Sequence, residues 1–306
     1  MKTRSVALMA LLVAAAYSPA TASLSQQAAN ITTPVQNLVA TLTDFGTNDF
    51  YAGALEGSIY SANPLVRIST ITHQIKPFDI AEGSYILAKA AKRYPSGTVF
   101  VCEVDPGSDE NLSFIVLKSN DNKLFVGPDN GLFTGVMDDL GLSHAYLITN
   151  KSLMSAEQES ATFRGFYISG PVAARLAGGV RPELVGPAVN DPVRISVKQP
   201  GINESGLTGT IIHIDSYGNL LTNIPGKMAG EAGIVKGSPL NIRLANQSYN
   251  AAFAMTYSDV PRGEWLVMNS SEGLLQASIN MDSAAAAADV PAGETILISP
   301  VAATSL

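Results

Sequence analysis

The chain has 306 residues, 46% of them hydrophobic and 15% charged, which supplies a large core and excludes a globally disordered polypeptide. Nineteen Lys and Arg against 26 Asp and Glu give a formal net charge of -7 with no basic cluster, a poor match to a nucleic-acid backbone. A single cysteine, Cys102, excludes an intrachain disulfide and a cysteine-rich zinc site, and with only His73, His144 and His213 no metal centre is expected.

Residues 1–22 have the grammar of a secretory signal peptide. Lys2 and Arg4 give a basic start, residues 6–16 an unbroken apolar run, Tyr17-Ser18-Pro19 a break and Ala20-Thr21-Ala22 a cleavage site. The run is shorter than the roughly 20 residues a bilayer span needs. The mature chain is therefore expected to begin at Ser23, exported to the periplasm or beyond, without membrane attachment. Losing Lys2 and Arg4 takes its charge from -7 to -9.

After a polar arm at 23–34, residues 37–42 read as a buried strand and 51–61 as a helix stopped by Asn63-Pro64. Residues 66–71 read as a second strand. Helical spacing of Ile80, Tyr85, Ile86, Ala88 and Ala91 predicts a helix over 80–92, closed by Tyr94-Pro95-Ser96-Gly97, and 98–104 is again a strand. Strands alternating with helices imply a mostly parallel sheet with both faces covered. Residues 114–118 and 123–126 flank the hairpin signal Ser119-Asn120-Asp121-Asn122, and 131–137 and 170–177 are further helix candidates. Beyond Pro200-Gly201-Ile202-Asn203 come short alternating runs at 207–214, 239–244, 265–269 and 295–298, the pattern of a small antiparallel barrel or sandwich. Ala284–Ala288 reads as a packed turn or helix. The expected organisation is an α/β N-terminal domain over 35–201 and a β-barrel domain over 202–306.

Polar clusters fall at the ends of predicted strands, where open α/β sheets bind ligands. In Thr43-Asp44-Phe45-Gly46-Thr47-Asn48-Asp49, Asp44 either accepts from a ribose diol or caps the next helix, and Asp49 reads as that helix's N-cap. Asp105-Pro106-Gly107 and Pro128-Asp129-Asn130-Gly131 are plain turns when taken alone. His213-Ile214-Asp215-Ser216-Tyr217-Gly218-Asn219 is either a polar hairpin end or a site, and Asn269-Ser270-Ser271 a loop or an anion-binding turn. His73 reads as a satisfied strand-end histidine, His144 as a loop residue and Cys102 as a buried, unreactive thiol. The sequence has no P-loop, G-x-G-x-x-G, H-E-x-x-H or G-x-S-x-G motif.

In order along the chain stand Thr43-Asp44-Phe45-Gly46, Thr72-His73-x-Ile75-x-Pro77-x-Asp79-Ile80 and Tyr94-Pro95-x-Gly97-Thr98-Val99. Val104-Asp105-Pro106-Gly107, Pro128-Asp129-Asn130-Gly131 and Asp215-x-Tyr217-Gly218-Asn219-x-x-Thr222-Asn223-Ile224 follow. Together they resemble the S-adenosyl-L-methionine hydroxide adenosyltransferase family, which includes fluorinating and chlorinating enzymes, across residues 38–300. The resemblance implies an α/β domain with a mostly parallel sheet, a C-terminal antiparallel β-barrel and a homotrimer with ligand sites between subunits. The implied reaction is displacement at ribose C5′ of S-adenosyl-L-methionine, the substrate itself, with no separate cofactor.

By the same resemblance Asp44 binds the ribose hydroxyls and Phe78 lines the ribose pocket. Asp215 pairs with the methionine ammonium, Ser270 binds its carboxylate, and Tyr217, Tyr257 and Asn219 contact adenine. Ser108 joins the substrate-binding set and Asp105 activates water. Two positions depart from the hydrolase branch: no arginine follows in Asp105-Pro106-Gly107-Ser108-Asp109-Glu110-Asn111-Leu112, and Phe163-Arg164-Gly165-Phe166-Tyr167 replaces Phe-His-Gly-Arg-Asp. A guanidinium stays protonated, so Arg164 cannot be a base. It either restores positive charge beside Asp105, and so counts with Asp105 as catalytic, or is a solvated surface charge. Only a short hairpin precedes Pro128, which disfavours fluorination. The expected activity is hydrolysis to adenosine and methionine, the alternatives being an exported adenosyl-ligand-binding protein or a chlorinase-like enzyme.

Overall fold

A computed structural model describes residues 36–104, 112–156 and 162–301. The expected signal peptide and arm, Asp105 and Ser108 lie outside these residues. The first sheet comprises β1 (Leu38–Thr43), β2 (Arg67–Thr72), β3 (Val99–Glu103), β4 (Phe114–Ser119), β5 (Leu124–Pro128) and β6 (Leu142–Leu147), in the order β2-β1-β3-β5-β4-β6. The β1–β2, β1–β3 and β3–β5 pairings are parallel; the β4–β5 hairpin and β4–β6 are antiparallel.

The central strands are apolar throughout because both their faces are covered. Side chains alternate across the sheet. Ala40, Leu42, Phe100 and Cys102 join Leu87, Ala88 and Ala91 of the helix Ile80–Ala91 on one face. Val39, Val99 and Val101 join Leu55 and Ile59 of the helix Tyr51–Ala62, and Val172 and Ala173 of the helix Gly170–Ala177, on the other. Strands β3 and β5 approach so closely that a Cβ on Gly127 would lie 2.2 Å from the Cys102 carbonyl oxygen.

Asp79 caps the helix Ile80–Ala91 by accepting from the Glu82 N–H at 3.0 Å. The expected capping by Asp49 does not occur: Phe50 holds the N-cap position of Tyr51–Ala62, with no side-chain cap hydrogen bond. His144 lies inside β6 rather than in a loop, because β6 adds to the open edge of β4, opposite Lys118. The helix expected over 131–137 runs Thr134–Asp139, since Asn130 to Phe133 form the turn that leads into it.

The second sheet contains β7 (Gly201–Asn203), β8 (Gly206–Ile214), β9 (Leu220–Pro225), β10 (Pro239–Leu244), β11 (Gln247–Phe253), β12 (Trp265–Asn269), β13 (Leu274–Ile279) and β14 (Thr295–Pro300). Pairing of β14 with β8 closes it into a seven-strand barrel, with β7 added beside β8. Leu207, Ile211, Leu220, Ile242, Val267 and Ile298 fill the interior. The expected antiparallel pattern holds around the barrel except where β11 runs parallel to β12. A tight hairpin cannot join parallel strands. Residues 254–264 make that crossover instead, through the short 3-10 turn Tyr257–Asp259. That turn brings Tyr257 to the barrel end.

Phe100 and Phe125 stack at 4.6 Å between centroids, both fully buried. Phe100→Ala should destabilise the protein by about 3–5 kcal/mol, read as a lowered midpoint in guanidinium unfolding.

Candidate active site

Parallel strands present their carboxyl ends at one sheet edge, and β1 and β3 end side by side. The Asp44 N–H donates to the Glu103 carbonyl at 3.2 Å, continuing the ladder one residue past the strand. The Asp44 carboxylate then accepts from the Phe78 N–H at 3.0 Å. That bond helps hold Phe78 at φ 69°, a left-handed conformation unusual for a bulky side chain, and leaves its ring 74% exposed. Beneath the loop, buried His73 pairs through Nδ1 with the Thr43 hydroxyl at 2.9 Å, while its Nε2 has no hydrogen-bond partner among the described residues. Burial lowers its pKa, against the opposing pull of Glu56, and favours the neutral ring.

An aromatic wall stands next to Asp44. Phe163 stacks on Tyr51 at 4.2 Å and on Phe166 at 5.4 Å, and Phe45 meets both Phe163 and Phe166 edge-on. These contacts bring residues 163–166 beside the β1 end. Arg164 is half-buried, donates to the Leu112 carbonyl at 3.1 Å and lies 4.9 Å from the Phe114 ring centroid. It is therefore no freely solvated surface charge.

Glu103 is the residue that reading the sequence missed. It ends the buried β3 run and is itself fully buried. Its side chain packs on the π-helical turn Gly165–Ser169, where a Cβ on Gly165 would sit 2.9 Å from the Glu103 carboxyl carbon. Both carboxyl oxygens, and the nearby Ser169 hydroxyl, lack hydrogen-bond partners of normal geometry among the described residues. Desolvation pushes the Glu103 pKa up to about 8; Ser169 and the Arg164 charge oppose the rise, and Asp44 adds to it. The one sequence signal was a charge in an otherwise apolar strand.

On the barrel, the Asp215 carboxylate folds its own turn. One oxygen accepts from the Tyr217 and Asn219 N–H groups at 3.0 and 2.9 Å, and the other from the Asn219 side-chain amide at 2.8 Å. Gly218 is required there: φ is 81°, and a Cβ would fall 2.0 Å from the Ser283 hydroxyl. The turn leaves Tyr217 81% exposed and Asn219 buried. Tyr217, Asn219, Tyr257, Met281 and Ser283 line a cleft of about 650 Å³, large enough for a nucleoside. Tyr257 is fixed by the Gln276 amide, which donates to its hydroxyl at 2.8 Å. Ser270 stands at the β12–β13 turn, its hydroxyl oxygen accepting weakly from the Glu272 and Leu274 N–H groups.

The barrel end faces the helix Ile80–Ala91, where acids and bases are paired: Lys89 and Lys92 meet Asp139 at 2.6 and 2.9 Å, and Arg93 meets Glu272 at 3.7 Å. Burial first, then Glu272, Asp139 and Asp215, pushes the Tyr85 hydroxyl up to about 12. Among the described residues no three His, Cys, Asp or Glu side chains gather as a metal site needs.

Within one chain, then, Asp44 and Phe78 meet at the sheet edge with Arg164 nearby. Asp215, Tyr217, Asn219 and Tyr257 gather on the barrel, with Ser270 on a separate turn. An α/β sheet followed by a closed barrel, each offering carboxylates and exposed rings at strand ends, defines a class of two-part small-molecule sites. Residues 39–186 match the SAM hydroxide adenosyltransferase N-terminal domain and residues 209–297 its C-terminal domain. The chain belongs to this family. The (R)-S-adenosyl-L-methionine hydrolase of Salinispora arenicola is 32% identical over 84% of this chain and 95% of its own length. That of Methanocaldococcus jannaschii is 29% identical over 82% and 91%. A fluorinase from Actinoplanes is 26% identical over 85% and 97%. The crystal structure of an uncharacterized conserved protein from Thermotoga maritima superposes with a TM-score of 0.81 at 32% identity, covering 85% of this chain and 99% of that one.

Because the Glu103 pKa rises from 4.5 to about 8 on folding, the native state holds the proton more tightly than the unfolded chain. The stability this confers is complete below pH 4.5 and is lost as pH climbs toward 8. Glu103→Gln removes the titration. Its unfolding free energy should gain on wild type across that window, by on the order of a few kcal/mol, and run parallel above it, read from guanidinium unfolding at each pH.

Proposed function

We propose that the protein hydrolyses S-adenosyl-L-methionine to adenosine and methionine. Water attacks C5′, the C5′–sulfonium bond breaks with its electron pair going to sulfur, and the water proton is released. The leaving group arrives already charged, so the protein's task is to orient the ribose, exclude bulk water and place charge. Asp44 binds the ribose diol and Phe78 lies against the sugar. Tyr217 and Tyr257 flank adenine, with Asn219 at its polar edge. Asp215 receives the ammonium, Ser270 the carboxylate, Ser108 completes the substrate contacts and Asp105 activates water.

The observation that carries this reading is the Asp215 turn: a carboxylate braced by three hydrogen bonds, beside an exposed tyrosine. The oxygen that accepts only from the Asn219 amide keeps one lone pair for a cation. Incubation with S-adenosyl-L-methionine should yield adenosine and methionine by chromatography. Asp215→Ala and Asp44→Ala should each lower kcat/KM by about 10–100-fold, chiefly through KM for Asp215, and Asp105→Ala should lower kcat by about 100-fold or more. Absence of adenosine above the Asp105→Ala background rejects hydrolysis. Calorimetric binding without turnover then supports the second reading, a ligand-holding relative, which the missing arginine and histidine favour. Chloride-dependent formation of a 5′-chloronucleoside supports a chlorinase-like displacement, in line with the similarity to fluorinase.

The same reading includes export and a trimer. The signal-peptide grammar of residues 1–22 supports the first. The division of ligand-facing groups between sheet edge and barrel supports the second, since a neighbouring chain can bring one set to the other. Mass spectrometry should find Ser23 at the mature N-terminus, and light scattering a mass of three chains. Retained Met1, or a monomer with full activity, overturns the corresponding part.

A further inference from the structure

The α/β domain and the barrel meet at a contact that begins in an irregularity of β8. Along this strand Leu207 and Ile211 point into the barrel core. Strict alternation would send residue 213 there as well. Instead the register with β9 shifts: Ile211 pairs with Thr222, and His213 with Leu221. A bulge of this kind re-aims the side chains beyond it. Ile214 packs against the core, and His213 turns toward the helix Ile80–Ala91, its ring centroid 5.6 Å from that of Tyr85. There its Nδ1 lies 3.3 Å from Glu82 Oε1, both side chains being 19% exposed. That nitrogen is buried and makes no aligned hydrogen bond among the described residues, so the Glu82 carboxylate is the polar group that answers it.

The other carboxylate oxygen of Glu82 accepts from the Lys76 N–H at 2.9 Å. Lys76 opens the turn whose Phe78 N–H donates to Asp44, and whose Asp79 accepts from the N–H of Glu82 itself. One carboxylate therefore touches the Phe78 turn on one side and, on the other, the strand that runs into Asp215. The space around this contact is not filled. An open cleft of about 430 Å³, lined by Glu82, Tyr85, Thr134, Ile195, Thr210 and Asn223, lies between helix and barrel. The Arg93–Glu272 pair also crosses from helix to barrel, but its arginine is 76% exposed and such a pair holds little.

We infer that Glu82 and His213 are positioning residues for the proposed hydrolysis, the Glu82 carboxylate tying the Phe78 turn to the barrel strand that leads into Asp215. The inference rests on the hydrolase reading for its effect on substrate, but not for the bridge itself. A ligand that reaches Asp44 and Phe78 at one end and Asp215 at the other senses the angle between the two parts. In the proposed trimer that angle recurs wherever the barrel of one chain meets the sheet of the next. A ligand that touches the barrel alone does not sense it.

The substrate-free protein supplies the first test, nitrogen NMR on histidine-labelled protein, with the His213 ring resonances assigned by their loss in His213→Phe. The Nδ1 resonance should shift in Glu82→Ala, and the Lys76 amide should exchange with solvent about 10-fold faster or more. If neither changes, the bridge is absent and the inference is overturned whatever the activity. The second test uses ligands. His213→Phe keeps a flat ring against Tyr85 and removes the nitrogen, whereas His213→Asn keeps a side-chain N–H near the place of Nδ1. In His213→Phe, KM for S-adenosyl-L-methionine should rise about 10-fold with kcat within about 3-fold, and His213→Asn should recover most of the loss. Adenine, whose contacts in this reading all lie on the barrel, should bind His213→Phe within about 3-fold of wild type by calorimetry. The double variant Glu82→Ala with His213→Phe should be no worse than Glu82→Ala alone. Equal losses for adenine and for S-adenosyl-L-methionine mean local damage to the barrel and overturn the positioning role, as does a folded His213→Phe with wild-type KM. If the resonances shift but wild type turns over no substrate, the bridge stands and the hydrolase reading falls.

Discussion

The parallel pairing of β1 and β3 is the constraint on which the site depends. Register places Thr43 beside Glu103 at the carboxyl edge, and the next ladder bond runs from the Asp44 N–H to the Glu103 carbonyl. Two acidic residues are thereby fixed in one corner of the sheet, one half-buried and one fully buried. Antiparallel strands would have sent one of them to the opposite edge. The apolar faces of both strands hold this register, because a slip by one residue would turn Val39 and Val101 away from the helices that cover them. Packing in the core therefore sets the position of charge at the rim.

The barrel solves a different problem. Its cleft must display a flat, exposed ring and a carboxylate without letting either wander. Asp215 does this by hydrogen-bonding within its own turn, which fills three of its four acceptor sites and leaves one, on the oxygen that accepts from the Asn219 amide, open to a further donor. Tyr257 comes from the crossover forced by the parallel β11–β12 pair, and Gln276 from the neighbouring strand β13 holds its hydroxyl. The exposed rings of Phe78, Tyr217 and Tyr257 have apolar area that a planar ligand can cover.

Much of this was legible in the sequence, for a physical reason. The α/β alternation over residues 37–104 follows from simple periodicity, and the motifs at Asp44 and Asp215–Asn219 contain turn formers whose role is local. What escaped was non-local. The β11–β12 parallel pairing depends on where a crossover lands, which no window of residues encodes. His144 reads as a loop residue until β4 offers it an edge. Asp49 has the chemistry of an N-cap, but the chain enters the helix one residue later. Glu103 looks like the end of a strand, and only the facing Gly165 reveals a carboxyl group enclosed by protein. Asp105 and Ser108, named from the motifs, lie outside the described residues.

The departures from the hydrolase pattern acquire a common sense when charge is considered. Replacing histidine by Arg164 introduces a permanent cation into a half-buried corner, which needs a compensating anion nearby. Glu103 lies at that corner, and the Arg164 charge lowers the cost of ionising it, while Asp44 raises that cost. Phe166, in place of the arginine that follows glycine in the hydrolase pattern, contributes a ring to the Phe45–Phe163 wall rather than a second cation. The corner thus exchanges an arrangement containing a neutral-capable histidine for one in which a permanent guanidinium and a buried carboxyl lie on neighbouring segments. For a substrate that brings its own positively charged leaving group, the chemistry asks mainly for orientation, exclusion of water and placed charge rather than for one particular side chain.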